Sequence, residues 1–199
     1  MDTLTAINER RAVKAYDPSH EMSDAEVRQL MDYVRKAPTA FNLQNWRFVL
    51  VRNPELRQKV REVAWDQPQV TDASLLVILC ADTKAWQDLD HPLEDAPKEV
   101  AEFFRPAIKQ YYDGNEQTQI DECHRSCGLA GATLMLAAKA LGYDTSPMDG
   151  FDYQKVGDLI NLPQDHVISF MIAVGKGVKP PMPKLGWRPY DKVVLTDTF

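Results

Sequence analysis

The sequence predicts an α+β fold of three layers, an α-β-α sandwich with one sheet between two layers of helices. Three observations predict it. Segments of helical and strand periodicity alternate in an irregular order, about five of the first kind and four of the second. The run from Ser74 to Ala81 is apolar after its first residue, the pattern of a strand covered on both faces. The stretch Gly128-Leu129-Ala130-Gly131-Ala132 is small and apolar around a helix's circumference, which places its helix at the centre of the domain or in a dimer interface.

The elements follow from periodicity and punctuation. Leu4 to Glu9 is a short helix that ends near Arg10-Arg11. Ser23 with Glu26 forms a capping box, and a helix runs from it to about Lys36 with Val27, Leu30, Met31 and Val34 on one face. Pro38 stops it. Trp46 to Val51 is a strand, and Asn53-Pro54 opens a helix to about Val63. Pro97 to Tyr112 is helical, with Pro106 as the expected kink. A long helix from Ile120 to Leu141 closes on Gly142. Tyr143 to Ser146 leads into a short strand, Phe151 to Ile160 is a helix, and His166 to Val174 is a strand. After a Pro-rich segment, Lys192 to Leu195 reads as a lone terminal strand that pairs with a sheet edge in a second subunit.

With 199 residues the chain reads as one domain, 1–199, able to bury a core without disulfides or a structural metal. The net charge of −6 argues against a dedicated nucleic-acid surface. Three cysteines, Cys80, Cys123 and Cys127, form no secretory framework. Met1 to Arg11 has no signal-peptide core, and the longest apolar run is too short to span a bilayer. A soluble, reduced, cytoplasmic protein without membrane or nucleic-acid partners is the expectation. Phosphate-loop, Rossmann, zinc and serine-hydrolase motifs are absent, and the four histidines are dispersed. No catalytic side chain and no metal ligand is assigned.

Four features carry chemistry. Arg10-Arg11-Ala12-Val13-Lys14 places three cations in five residues; in an extended segment Arg10 and Lys14 point to one side, suited to phosphate, although a solvated basic patch reads the same way. The loop from Pro38 to Trp46 is rich in amides, with a hydroxyl and two aromatics, and is either a ligand loop or a connector. In Pro147-Met148-Asp149-Gly150-Phe151-Asp152 a strand gives way to a helix. There Gly150 permits close approach to a planar ligand, and Asp152 caps the helix in either reading. Lys184 and Arg188 are isolated cations in the tail.

The order of these features, with Val70-Thr71-Asp72-Ala73-Ser74 and the closing Arg188-Pro189, resembles the nitroreductase superfamily of FMN-dependent NAD(P)H oxidoreductases, in its Asn-Leu-Gln-x-Trp subgroup. The resemblance covers about Leu4 to Leu195. It implies a nitroreductase-like homodimer with an exchanged C-terminal strand and FMN at the interface. It implies that Arg10, with Arg11 beside it, grips the FMN phosphate, and that Lys14 sits near the N1/O2 edge of the flavin. Pro38, Thr39, Ala40, Asn42 and Gln44 then reach the flavin from the other subunit. Pro147, Met148, Asp149 and Gly150 pack against its ring. Gln69, with Asp66, serves the ribityl or pyrimidine region, and Lys184 and Arg188 bind phosphate. Phe41 sets the size of the substrate pocket. Ala12 stands where the family often has Ser, Asn45 where it usually has Pro, and Asp149 where it often has Glu.

The activity so implied is ping-pong transfer of two electrons from NADH or NADPH to a planar acceptor such as a nitroaromatic or a quinone. An FMN-binding sensor or store without turnover, and a specialised member of the fold such as a dehalogenase, are the alternatives. The segment Trp86 to Glu116 is the region long enough to cover a pocket.

Overall fold

The structure, a computed structural model, describes residues 1–199. In chain order the elements are α1 (Thr3–Glu9), α2 (Asp24–Val34), β1 (Trp46–Val51), α3 (Pro54–Glu62), α4 (Gln69–Asp72), β2 (Leu75–Asp82), α5 (Lys98–Tyr112), α6 (Glu116–Ala140), β3 (Asp144–Met148), α7 (Tyr153–Leu159) and β4 (His166–Gly175). The sheet runs β1-β2-β4-β3, with every neighbouring pair antiparallel.

β2 explains the layering. Its side chains alternate between two cores, because successive residues of a strand face opposite ways. Leu75, Val77, Leu79 and Ala81 join a cluster with residues of α2 and α6, including Leu30, Val34, Cys127 and Leu134. Leu76, Ile78 and Cys80 join a second cluster with Val60, Val70 and Val156, from α3, α4 and α7. Both faces of the strand are therefore covered, as its continuous apolar run predicts. Each fully buried Leu or Ile there contributes about 1.5–3 kcal/mol.

The capping box at Ser23 is formed: Ser23 Oγ accepts from the Glu26 amide, and Glu26 accepts from the Ser23 amide. α5 continues through Pro106, where a kink was expected. α6 starts four residues before the expected Ile120, because the Asn115 side chain accepts from the Thr118 amide. Only one face of α6 is buried. Gly128, Leu129 and Ala132 are exposed, so of the two expected positions for this helix the subunit interior accounts for one side only. No helix is long and apolar enough to cross a membrane.

Within one subunit the terminal segment joins no sheet. Tyr190–Lys192 forms a single 3-10 turn, with the Val194 amide donating to the Tyr190 carbonyl, and Lys192 to Leu195 pairs with no strand. Every residue from Met182 onward is exposed.

Candidate active site

The first motif folds as an extended ribbon beside β3. α1 ends at Glu9, and the Val13 amide donates to the Thr145 carbonyl at 3.0 Å. Further on, the Val178 amide donates to Ala15 and the Asp17 amide to Lys176, at 3.0 and 2.9 Å. Val13 and Tyr16 are buried, whereas Ala12 and Lys14 are exposed and Arg10 is half-buried. The alternation expected of an extended segment is thus present, with Arg10 and Lys14 on the outer side. Neither joins any of the ion pairs of this acidic chain. Arg11 is engaged differently from the expectation: its Nη2 donates to the Met182 carbonyl at 2.5 Å. It ties down the start of the tail two residues before Lys184. Arg188 lies beyond, exposed.

β3 delivers the chain to the turn at Pro147–Gly150. Met148 is buried in the core, so at that residue only main chain is left for a ligand. Asp149 is exposed. A cavity of about 400 Å³ lies beside it, lined by Pro147, Met148, Asp149, Tyr153, Ser169 and Phe170. Asp152 caps α7, as expected, by accepting from the Lys155 amide at 3.0 Å.

Gly150 is a second departure. A Cβ there would stand 2.6 Å from Cζ3 of Trp65, so the plane lying on this glycine is the chain's own indole. Gln67 Nε2 donates to the Gly150 carbonyl at 3.0 Å, and Gln69 Nε2 donates to Gln67 Oε1 at 2.9 Å. Gln69 is 2% exposed, so it acts behind Gln67 rather than facing a ligand. Asp66 is ion-paired to Arg61 at 2.7 Å. Buried Arg57 braces the same segment from α3, donating Nε to Val70 and Nη2 to Ala73. Trp65, Gln67, Arg57 and Arg61 escaped the sequence reading. The available signal was an aromatic directly after a helix end and two arginines four apart on that helix.

The loop at 38–46 is rigid and strained. Phe41, Asn42 and Gln44 have φ of 52°, 55° and 47°, in the left-handed region that residues with side chains enter at a cost. Thr39 Oγ1 accepts from the Gln44 amide at 2.9 Å, and the Asn42 and Leu43 amides donate to Thr39 and Ala40. Phe41 packs edge-on against Phe104, Tyr111 and Tyr112 of α5, which fixes the loop to that helix. What the structure shows for Phe41 is this anchoring of the loop to α5. Pro38 and Asn42 are exposed, and Thr39, Ala40 and Gln44 are half-buried.

The sheet order separates these pieces. The 10–14 ribbon and the 147–150 turn flank β3 at one edge, whereas the 38–44 loop leads into β1 at the other. Two strands lie between the edge strands, so they stand about three spacings, or 14 Å, apart. One subunit presents two half-sites on opposite edges and does not bring them together. The cysteine thiols take no part: burial pushes Cys80, Cys123 and Cys127 up to about 12, which leaves almost no thiolate at neutral pH.

Comparison with known proteins bears on this arrangement. The Nitroreductase family matches residues 7–176. The Synechocystis protein DrgA is 50% identical over 177 residues, covering 88% of this chain and 84% of DrgA. Bacillus subtilis YodC, named as a candidate NAD(P)H nitroreductase, is 32% identical over 186 residues, covering 90% and 91%. A protein from Exiguobacterium sibiricum, crystallised in complex with FMN, superposes with a TM-score of 0.92 at 26% identity, covering 99% of this chain and 98% of that one.

Proposed function

Because the chain belongs to the nitroreductase family, we propose that it is an FMN-dependent oxidoreductase that carries two electrons from NADH or NADPH to a planar acceptor. Nitroaromatics and quinones are the acceptor class. The observation that carries the reading is the pair of unneutralised cations, Arg10 and Lys14, on the outer side of a ribbon bonded to β3, two residues before the Pro147–Gly150 turn.

The residues present fit FMN. Arg10, half-buried, and Lys14, exposed, each lack a counter-ion in the subunit and so are free to meet an anionic ligand. Arg10 has the planar fork that suits a phosphate, and Lys14 is a point charge. The main chain of Pro147 to Asp149 and the cavity beside it offer a flat wall. Bound there, FMN would supply the two-electron hydride chemistry. Lys14 would add positive charge beside bound FMN and so favour its more negative, reduced form. The turn orients the ring. Lys184, two residues after the tethered Met182, and Arg188 would add positive charge toward the phosphate. Donor and acceptor use the same pocket in turn, which gives ping-pong kinetics.

The site is completed by a homodimer. The 38–44 loop of a second copy covers the flavin held at the β3 edge, because a subunit's own loop is anchored at the far edge of its sheet. The exposed Gly128, Leu129 and Ala132 of α6 and the exposed tail supply the apolar contact surface. The protein acts in the cytoplasm.

Anaerobic mixing with NADH or NADPH tests the reading: a bound yellow flavin is bleached, and menadione or nitrofurazone restores the colour. A flavin that neither donor bleaches defeats it. Bleaching without turnover identifies a flavin store instead.

A further inference from the structure

The end of α3 carries an arrangement that packing alone does not account for. Trp65 and Asp66 both sit in the left-handed region, with φ of 54° and 50°. Such a pair is costly for residues with side chains, and it persists only where the surroundings hold it. Burial does not hold it, because Trp65 is 79% exposed. What holds it is a clasp. Arg61 Nε donates to Asp66 Oδ1 at 2.7 Å, and Arg61 Nη1 donates to Thr71 Oγ1 at 3.0 Å. The Asp66 amide also donates to the Arg61 carbonyl at 3.2 Å. The single Thr71 Oγ1 proton has two acceptors within reach, Asp72 Oδ1 at 2.8 Å and the Pro68 carbonyl at 3.1 Å, which closes the loop on itself.

The clasp sets one plane. Cζ3, Cε3 and Cη2 of the indole stand 2.6, 2.7 and 3.2 Å from where a Gly150 Cβ would be, so the six-membered ring lies on the bare face of that glycine. Gln67, two residues on, holds the Gly150 carbonyl. The outer face of the indole meets no other side chain of the subunit in a ring pair or cation contact. A large aromatic surface is thus held at a backbone cost beside the turn that lines the cavity. Its outer face is open to solvent next to that turn, outside the lining of the cavity itself.

We propose that Arg61 is a positioning residue that acts through Asp66 to hold the Trp65 indole on Gly150, and that the indole is the wall on which the wide face of the acceptor stacks. The inference rests on the flavin oxidoreductase reading above and adds to it a basis for choosing among acceptors. A two-ring acceptor overlaps the indole more than a one-ring acceptor does, because stacking grows with the area covered.

The test uses the FMN-loaded protein and the ratio of kcat/KM for menadione to that for benzoquinone. Arg61→Gln and Asp66→Asn each lower this ratio about fivefold, the effect of losing one exposed charge-assisted contact. The double variant falls no further than either single one. Trp65→Ala lowers the ratio as well, and adding Arg61→Gln to it changes nothing more. Arg61→Lys recovers part of the loss. Equal losses for both acceptors, leaving the ratio unchanged, would mean a general structural role and overturn the proposal. So would an undiminished effect of Arg61→Gln in the Trp65→Ala background. Should Arg61→Gln fail to fold, Asp66→Asn decides, since that side chain is 80% exposed. A wild-type flavin that no donor bleaches condemns the functional reading and the proposal together; normal turnover with an unmoved ratio condemns the proposal alone.

Discussion

Replacing Gly131 with alanine sets two opposing effects against each other in α6, which packs on the first core. Gly131 lies inside α6 and is buried. Alanine is favoured over glycine in a helix interior by about 1 kcal/mol. The added Cβ, however, would stand 2.4 Å from Cζ and 3.0 Å from Cε2 of Phe170, and 3.3 Å from Cδ2 of Leu79. Phe170 is half-buried and its ring can swing, but Leu79 is fully buried on the central strand and has nowhere to go. Overpacking of this kind costs about 1–3 kcal/mol. The clash therefore outweighs the propensity, and Gly131→Ala loses roughly 1 kcal/mol net. At this chain length that is a fall in Tm of about 2–4 °C. Thermal unfolding followed by circular dichroism, with urea unfolding at unchanged slope, measures it. A rise in Tm would refute the packing argument.

Three further outcomes are expected. An added Cβ at Gly128 meets no atom of its own subunit within 4 Å, so Gly128→Arg leaves the subunit's circular dichroism intact while shifting sedimentation from dimer toward monomer; a variant that stays dimeric removes this face of α6 from the interface. Arg10→Gln weakens FMN binding by roughly tenfold to a hundredfold, the loss of a charged hydrogen bond, read by fluorescence titration of free flavin, and an unchanged affinity places the phosphate elsewhere. Glu26 is held down at about 2 by hydrogen bonds from Ser23 and Tyr143. A depressed carboxyl stabilises the fold above its unfolded pKa, and that contribution fades as pH falls from about 4.5 toward 2. Glu26→Gln should accordingly flatten the acid limb of a stability-against-pH curve in that window, and an unaltered limb would show the network is not felt.

Much of the fold was legible because single residues carried unambiguous signals. β2 announced itself by an apolar run too short for a helix and too continuous for a half-exposed strand. α2 was legible from Ser23 and Glu26, whose reciprocal bonds need only local chain. The shared face of Arg10, Ala12 and Lys14 followed from the two-residue repeat of an extended segment. What escaped depended on contacts distant in sequence. Trp65 and Gly150 are 85 positions apart, and nothing local to either says that one covers the other. Arg11 looked like a phosphate ligand because its use, a carbonyl in the tail 171 residues away, has no local trace. The opposed positions of the two half-sites also came only from the sheet order, which no element discloses alone.

The central claim is that flavin is held between two copies of the chain, each contributing a different edge of its sheet. Sedimentation velocity of the purified protein, followed at the absorbance of oxidised flavin, addresses it in one run. The account predicts that all bound colour travels with a species of twice the 22.6 kDa subunit. Colour travelling with the single subunit would contradict it, as would a dimer that remains colourless after FMN is added.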